Sequence, residues 1–86
     1  MRLAILAFAK RYQLTCRETE VVTEVCTGLK NKAIAARMSV SPATVRLHLR
    51  GVYRKTAVAD KPELILAVWK LSLEAVKQPE AEQGPQ

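Results

Sequence analysis

The chain has 86 residues, 49% of them apolar and 26% charged, which suits one small folded domain and excludes both a multidomain architecture and a disordered chain. Fourteen Lys and Arg against eight Asp and Glu give a net charge of +6, which favours a polyanionic partner. One histidine and two cysteines leave little from which to build a metal or nucleophile site, and the longest apolar run, 3–9, is far short of the roughly 20 residues a membrane span needs.

Arg2, an apolar stretch and Ala7-Phe8-Ala9 imitate a short signal peptide, but Lys10-Arg11 follow at once, so a cytoplasmic protein is the expectation. A first helix over Arg2 to Arg11 places Ile5, Phe8, Ala9 and Tyr12 on one side. Thr15 and Glu18 have capping-box spacing and predict the start of a second helix. Its apolar stripe is Val21, Val22, Val25, Cys26 and Leu29, and Gly28 is its natural stop. Asn31 suits the N-cap of a short third helix with Ile34, Ala35 and Met38 facing inward. Ser39-Val40-Ser41 make a tight turn, Ser41 caps a fourth helix, and Pro42 takes its first position. That helix runs to about Thr56. Asp60 caps a final helix from about Lys61 to Val76, with Glu63 in box-like spacing. Residues 78–86, with two prolines and one small apolar residue, predict a disordered tail. The expected division is an N-terminal helix over 1–13, a helix-turn-helix domain over 14–77, and the tail.

The positive charge is concentrated. Residues 30–61 hold eight basic residues against Asp60 alone, a net +7, while the rest of the chain sums to −1. At about 100° per residue, Arg46, Arg50 and Arg54 of the fourth helix fall within an arc of about 80°, with Ala43 and Leu47 on the same side. Val45, Leu49 and Val52 fall opposite, where a core belongs. Three arginines bracket an outward leucine on a face that has no folding reason to be apolar. A major groove offers them partners: guanidinium groups grip guanine edges or phosphates, and an aliphatic group touches a thymine methyl.

Leu14-Thr15-Cys16-Arg17-Glu18-Thr19-Glu20-Val21, Gly28, Asn31-Lys32, Ile34-Ala35, Ser41, Thr44-Val45-Arg46-Leu47-His48, Tyr53-Arg54-Lys55 and Glu63-Leu64 together resemble the LuxR/GerE-type DNA-binding domain of bacterial transcription regulators, from residue 14 to about 70. The resemblance implies an all-α, four-helix, sequence-specific module, here with an extra short N-terminal helix. It implies that the helix over about 42–56 enters the major groove, with base contacts from Arg46, Leu47 and Arg50. Phosphate contacts are implied for Lys32, Ser41, Thr44 and Lys55, and the arc adds Arg54. The chain departs from the family pattern at Arg46, where lysine is usual, at Gly51, where asparagine is common, at Thr56, where leucine is usual, and at Lys61, where arginine is common. Most members carry an N-terminal sensor or phosphoacceptor domain. A free-standing short regulator and a fragment of a longer one are both open here.

The final helix has more apolar surface than one core can use. Leu64, Val68, Leu71 and Ala75 form one stripe, and Ile65, Leu66, Trp69, Leu73 and Val76 a second. The second stripe must meet the N-terminal helix or a copy of itself. The resemblance favours a homodimer through Ile65, Leu66, Trp69 and Leu73, on a roughly palindromic site. The expected partners are double-stranded DNA and a second copy of the chain. RNA polymerase is a further protein such a regulator could contact, and no membrane partner is expected.

Cys16 and Cys26 are ten residues apart, about 15 Å along a helix, and too far for a disulfide. No spacing suits zinc, His48 sits at the edge of the buried side of its helix, and Glu18, Glu20 and Glu24 read as capping and solubility charges. No active site, cofactor or metal is expected. The alternative reading is a helical protein-interaction module docking through the apolar C-terminal helix. A membrane-surface role for the N-terminal helix ranks third.

Overall fold

Most stops and starts in the sequence become helix boundaries. The computed structural model describes residues 2–83, with side chains described for 2–74. Five helices follow in order: α1 (Arg2–Tyr12), α2 (Cys16–Cys26), α3 (Asn31–Met38), α4 (Pro42–Thr56) and α5 (Lys61–Gln83). No strand occurs among the described residues.

The local chemistry explains most of the punctuation. The Thr15 hydroxyl accepts from Glu18 N at 3.1 Å, and Glu18 Oε1 accepts from Thr15 N at 2.9 Å, completing a reciprocal capping box. Gly28, at φ +88°, ends α2 in the left-handed region that glycine tolerates without strain. Ser39 takes the same region at φ 59° and turns the chain from α3 into Ser41, whose Oγ accepts from Thr44 N at 3.1 Å. Asp60 Oδ1 accepts from Glu63 N at 3.0 Å. The reciprocal half differs from the expected box, because Glu63 Oε1 reaches Ala59 N at 2.8 Å.

Two boundaries depart from expectation. The N-cap of α3 is Lys30, without a side-chain cap, and Asn31 is the first helical residue. Its Oδ1 is therefore turned inward, buried and without a donor. Helix α5 runs to Gln83, so residues 78–83 of the expected disordered tail continue the helix. Glu, Ala and Gln are good helix formers, and Pro79 removes one backbone bond rather than the element. Residues 84–86 of that tail lie outside the described residues.

The core joins all five helices. Phe8, Val21, Val22, Val25, Ile34, Val45, Val52, Leu64 and Val68 are essentially inaccessible. Helices α2, α3 and α4 form the helix-turn-helix unit, with Val40 of the turn packed against the core. Helix α1 buries Ala4, Ile5 and Phe8 against α2 and α5. It therefore covers the first stripe of α5. The second stripe is left open: Leu66, Trp69 and Leu73 stay exposed, and Ile65 is half-buried. The side chains of Ala75 and Val76 lie outside the described residues.

Candidate nucleic-acid interface

Helix α4 owes its orientation to its buried face. Val45 and Val52 are fully buried and Leu49 nearly so, which fixes the opposite side toward solvent. There Arg46, Arg50 and Arg54 are exposed, and Leu47 keeps 60% of its surface accessible. Among the described residues none of the three guanidinium groups meets a carboxylate within 4.0 Å. The structure thus brings together the arc read from the sequence. Its cations are free, and its leucine serves no core.

At the start of α4 the Ser41 and Thr44 hydroxyls lie 3.0 Å apart, and Ser41 Oγ also accepts the cap bond from Thr44 N. Lys32 is exposed in the first turn of α3. Lys55 departs from the expected outward cation. Its ammonium donates to Glu18 Oε1 at 2.7 Å and to the Gln13 carbonyl at 3.3 Å. Two of its three donors are engaged and its side chain is 30% exposed.

Glu18 is more than the capping charge the sequence suggested. Only 7% exposed, it lies beneath Gly51, where an added Cβ would collide with Oε2 and sit 3.5 Å from Cδ. The missing side chain at 51 is what admits the carboxylate between α2 and α4. Burial works to raise the Glu18 carboxyl, but hydrogen bonds from Lys55 and the Thr15 backbone, with the Lys55 charge, hold it below its ordinary 4.5. Glu24 similarly takes Arg37 of α3. Of the eight basic residues in 30–61, two are thus turned onto carboxylates of α2. Sequence periodicity could not supply these pairs, because their partners stand 37 and 13 positions apart.

The substitution at Thr56 is accommodated. Its hydroxyl is buried and donates to Val52 O at 2.8 Å. His48 is half-buried. Cys16 is exposed and Cys26 half-buried, both as free thiols, and burial pushes the Cys26 thiol above its ordinary 9.0. Tyr53 is pushed above its ordinary 10.0, first by burial and then by the charge of Asp60. No group of three or more His, Cys, Asp and Glu among the described residues is placed to hold a metal. No described helix is long and apolar enough to cross a membrane.

This arrangement, a short helix and a capped basic helix joined by a tight turn, falls within residues 12–68, which match the family described as bacterial regulatory proteins, luxR family. The chain belongs to the luxR family. Its matched segment is the DNA-binding helix-turn-helix domain of such transcription regulators. Similar proteins include the transcriptional regulatory protein YhcZ of Bacillus subtilis, 42% identical over 74% of this chain. The monoamine regulon transcriptional regulator of Klebsiella aerogenes is 41% identical over 65% of it. The nitrate/nitrite response regulator protein homolog of Haemophilus influenzae is 47% identical over 56%. The chain spans 30%, 25% and 23% of those three proteins, respectively. No solved structure matches the chain significantly. All of α1 except Tyr12 lies outside the luxR-family match.

Proposed function

We propose that this luxR-family domain recognises a specific duplex sequence by laying α4 in the major groove. Arg46, Leu47 and Arg50 meet base edges. Lys32, Ser41, Thr44 and Arg54 meet phosphates, and Lys55 offers the backbone its third donor. One observation carries the reading: Leu47 stands exposed among three guanidinium groups that have no acidic partner among the described residues, directly opposite the buried face of the same helix. Desolvated leucine is favourable only against an apolar partner such as a thymine methyl, and arginines supply the paired donors that guanine edges accept.

The chain acts as a homodimer through Ile65, Leu66, Trp69 and Leu73, on a roughly palindromic site with half-sites about one helical turn apart. Supporting this, Leu66, Trp69 and Leu73 recur along one side of α5 and remain 47%, 51% and 41% exposed. The same face favours a second reading, in which α5 docks an unrelated protein.

Selection from a random duplex pool tests both. The expected result is an enriched inverted repeat. Leu47→Ala and Arg46→Ala should then relax preference at individual positions by about 1–3 kcal/mol, while Lys32→Ala weakens all duplexes alike and lowers the salt slope by about one unit. Loss of affinity that is equal on every duplex for all three variants would refute direct readout.

A further inference from the structure

Beside the arginine arc lies a groove that the reading above does not use. Its volume is about 250 Å³, and Asn31, Arg46, Leu49, Arg50, Tyr53 and Lys61 line it. These residues come from three elements: the first position of α3, the middle of α4 and the first position of α5. Three of them are cations, and none of the three has an ion-pair partner among the described residues. No carboxylate lines the groove. Of the acids nearest in sequence, Asp60 accepts from Glu63 N at 3.0 Å while its charge also acts on the Tyr53 phenol, and Glu63 accepts from Ala59 N at 2.8 Å. Against this collection of donors stands one anomaly. Asn31 Oδ1 is buried and meets no donor among the described residues, an arrangement that is unfavourable until one reaches it.

The size restricts what the groove can take. Small-molecule sites run from about 300 to 1,000 Å³, so this groove suits a single tetrahedral oxyanion rather than a whole nucleotide. The chemistry agrees, since an ammonium and a phenol offer donors to phosphate oxygens, and the two arginines of the wall add positive charge while, on the reading above, their forks face the bases. The position supplies the source. Arg46 and Arg50 belong both to the groove wall and to the outward arc, so an anion seated here lies at the edge of the surface turned toward the duplex.

Resting on the DNA reading above, we propose that this groove seats one phosphodiester of the bound duplex. Lys61 Nζ and the Tyr53 hydroxyl donate to its oxygens, and Asn31 Oδ1 accepts a remaining N–H of Lys61. Lysine has three donors, so it can serve the phosphate and the amide at once. The orphaned oxygen then has a function: it holds a long, otherwise mobile ammonium over the groove rather than in bulk water. Asn31 is a positioning residue, and Lys61 and Tyr53 are the ligands.

The test is fluorescence anisotropy on the selected duplex and on a scrambled one, between 50 and 200 mM salt, using the full chain. Lys61→Met keeps the stem and removes the charge. It should bind both duplexes roughly tenfold more weakly, with the salt slope lowered by about 0.9 and base preference unchanged. Lys61→Arg should restore the slope. Tyr53→Phe and Asn31→Ala should each weaken both duplexes several-fold with the slope intact, because neither removes a charge. Wild-type affinity and slope in Lys61→Met, with Leu47→Ala still altering base preference, would overturn the groove assignment and leave the DNA reading standing. Absence of duplex binding by the wild-type chain would overturn both. Titration with inorganic phosphate, followed at the Asn31 and Tyr53 amides by NMR, separates the sources. Saturation by free phosphate, while Lys61→Met binds duplex as wild type does, would make this a free-anion site and refute the duplex assignment.

Discussion

Replacing Gly51 by alanine sets two effects of opposite sign against each other. Glycine inside a helix costs about 1 kcal/mol relative to alanine, so propensity alone predicts that Gly51→Ala stabilises α4. The structure predicts the reverse. A Cβ at 51 would press into the Glu18 carboxylate, which is pinned by Thr15 N at 2.9 Å and Lys55 Nζ at 2.7 Å. Displacing it sacrifices a largely desolvated charge-assisted bond, worth about 1.5–3 kcal/mol. It also loosens the cap of α2, worth about 1 kcal/mol. The net expectation is destabilisation by about 1.5–3 kcal/mol, from those losses less the propensity gain. In a domain of this size that lowers the melting temperature by roughly 6–24 °C. The assay is urea unfolding followed by helical circular dichroism at fixed protein concentration. The background decides the mechanism: in Glu18→Ala the obstacle is gone, and Gly51→Ala should then stabilise by about 1 kcal/mol. A stabilising Gly51→Ala in the wild-type background would show that the carboxylate moves aside at little cost, and the reasoning would fail.

Further outcomes follow from the same structure. The Glu18 carboxyl is held below its ordinary 4.5, so its stabilisation is complete above that pH and drains as pH falls through the folded-state value. The stability gap between wild type and Glu18→Gln should therefore narrow on acidification from pH 7 to pH 3, and a constant gap would refute the linkage. Ala57 caps α4 in the left-handed region at φ 61°, so Ala57→Gly should raise stability by about 1 kcal/mol in the same urea assay. Trp69→Asp places a charge on the open face of α5. Light scattering should show a dimer for the wild type, as proposed, and a monomer that prefers a half-site for the variant, and equal masses for the two proteins would refute that interface.

The parts legible in the sequence are those set by short-range chemistry. Thr15 and Glu18, Gly28, and Ser41 with Pro42 announce helix boundaries because the donors they satisfy or the φ they permit lie within four residues. The buried face of α4 follows from periodicity, and the exposed arc follows as its complement. Capping preference points to Asn31, one position late, because it cannot weigh a lysine N-cap against an amide that turns inward. Sequence position alone makes Lys55 an outward cation, because its acceptor belongs to another helix. The groove beside α4 has no sequence signal for the same reason, since Asn31, Tyr53 and Lys61 line one groove only once α3, α4 and α5 have packed.

Two carboxylates of α2, buried Glu18 and half-buried Glu24, bear on the interface. Basic residues concentrated in one segment repel each other, and the segment needs either solvent or counter-charge. Glu18 and Glu24 supply counter-charge to Lys55 and Arg37, one on each of the helices that α2 supports. Each pair crosses from the back of the fold, so each helps fix the rotation of α4 or α3 about its own axis. The cations left without a partner among the described residues, Lys30, Lys32, Arg46, Arg50, Arg54 and Lys61, belong to α4, to the start of α3 with its N-cap, and to the start of α5. Under the proposed reading, free positive charge is thereby kept for the face that meets the duplex. Exchanging Glu24 for glutamine should accordingly leave base preference intact and cost stability, whereas exchanging Arg46 should do the opposite. The two measurements together separate the residues that hold the reader from those that read.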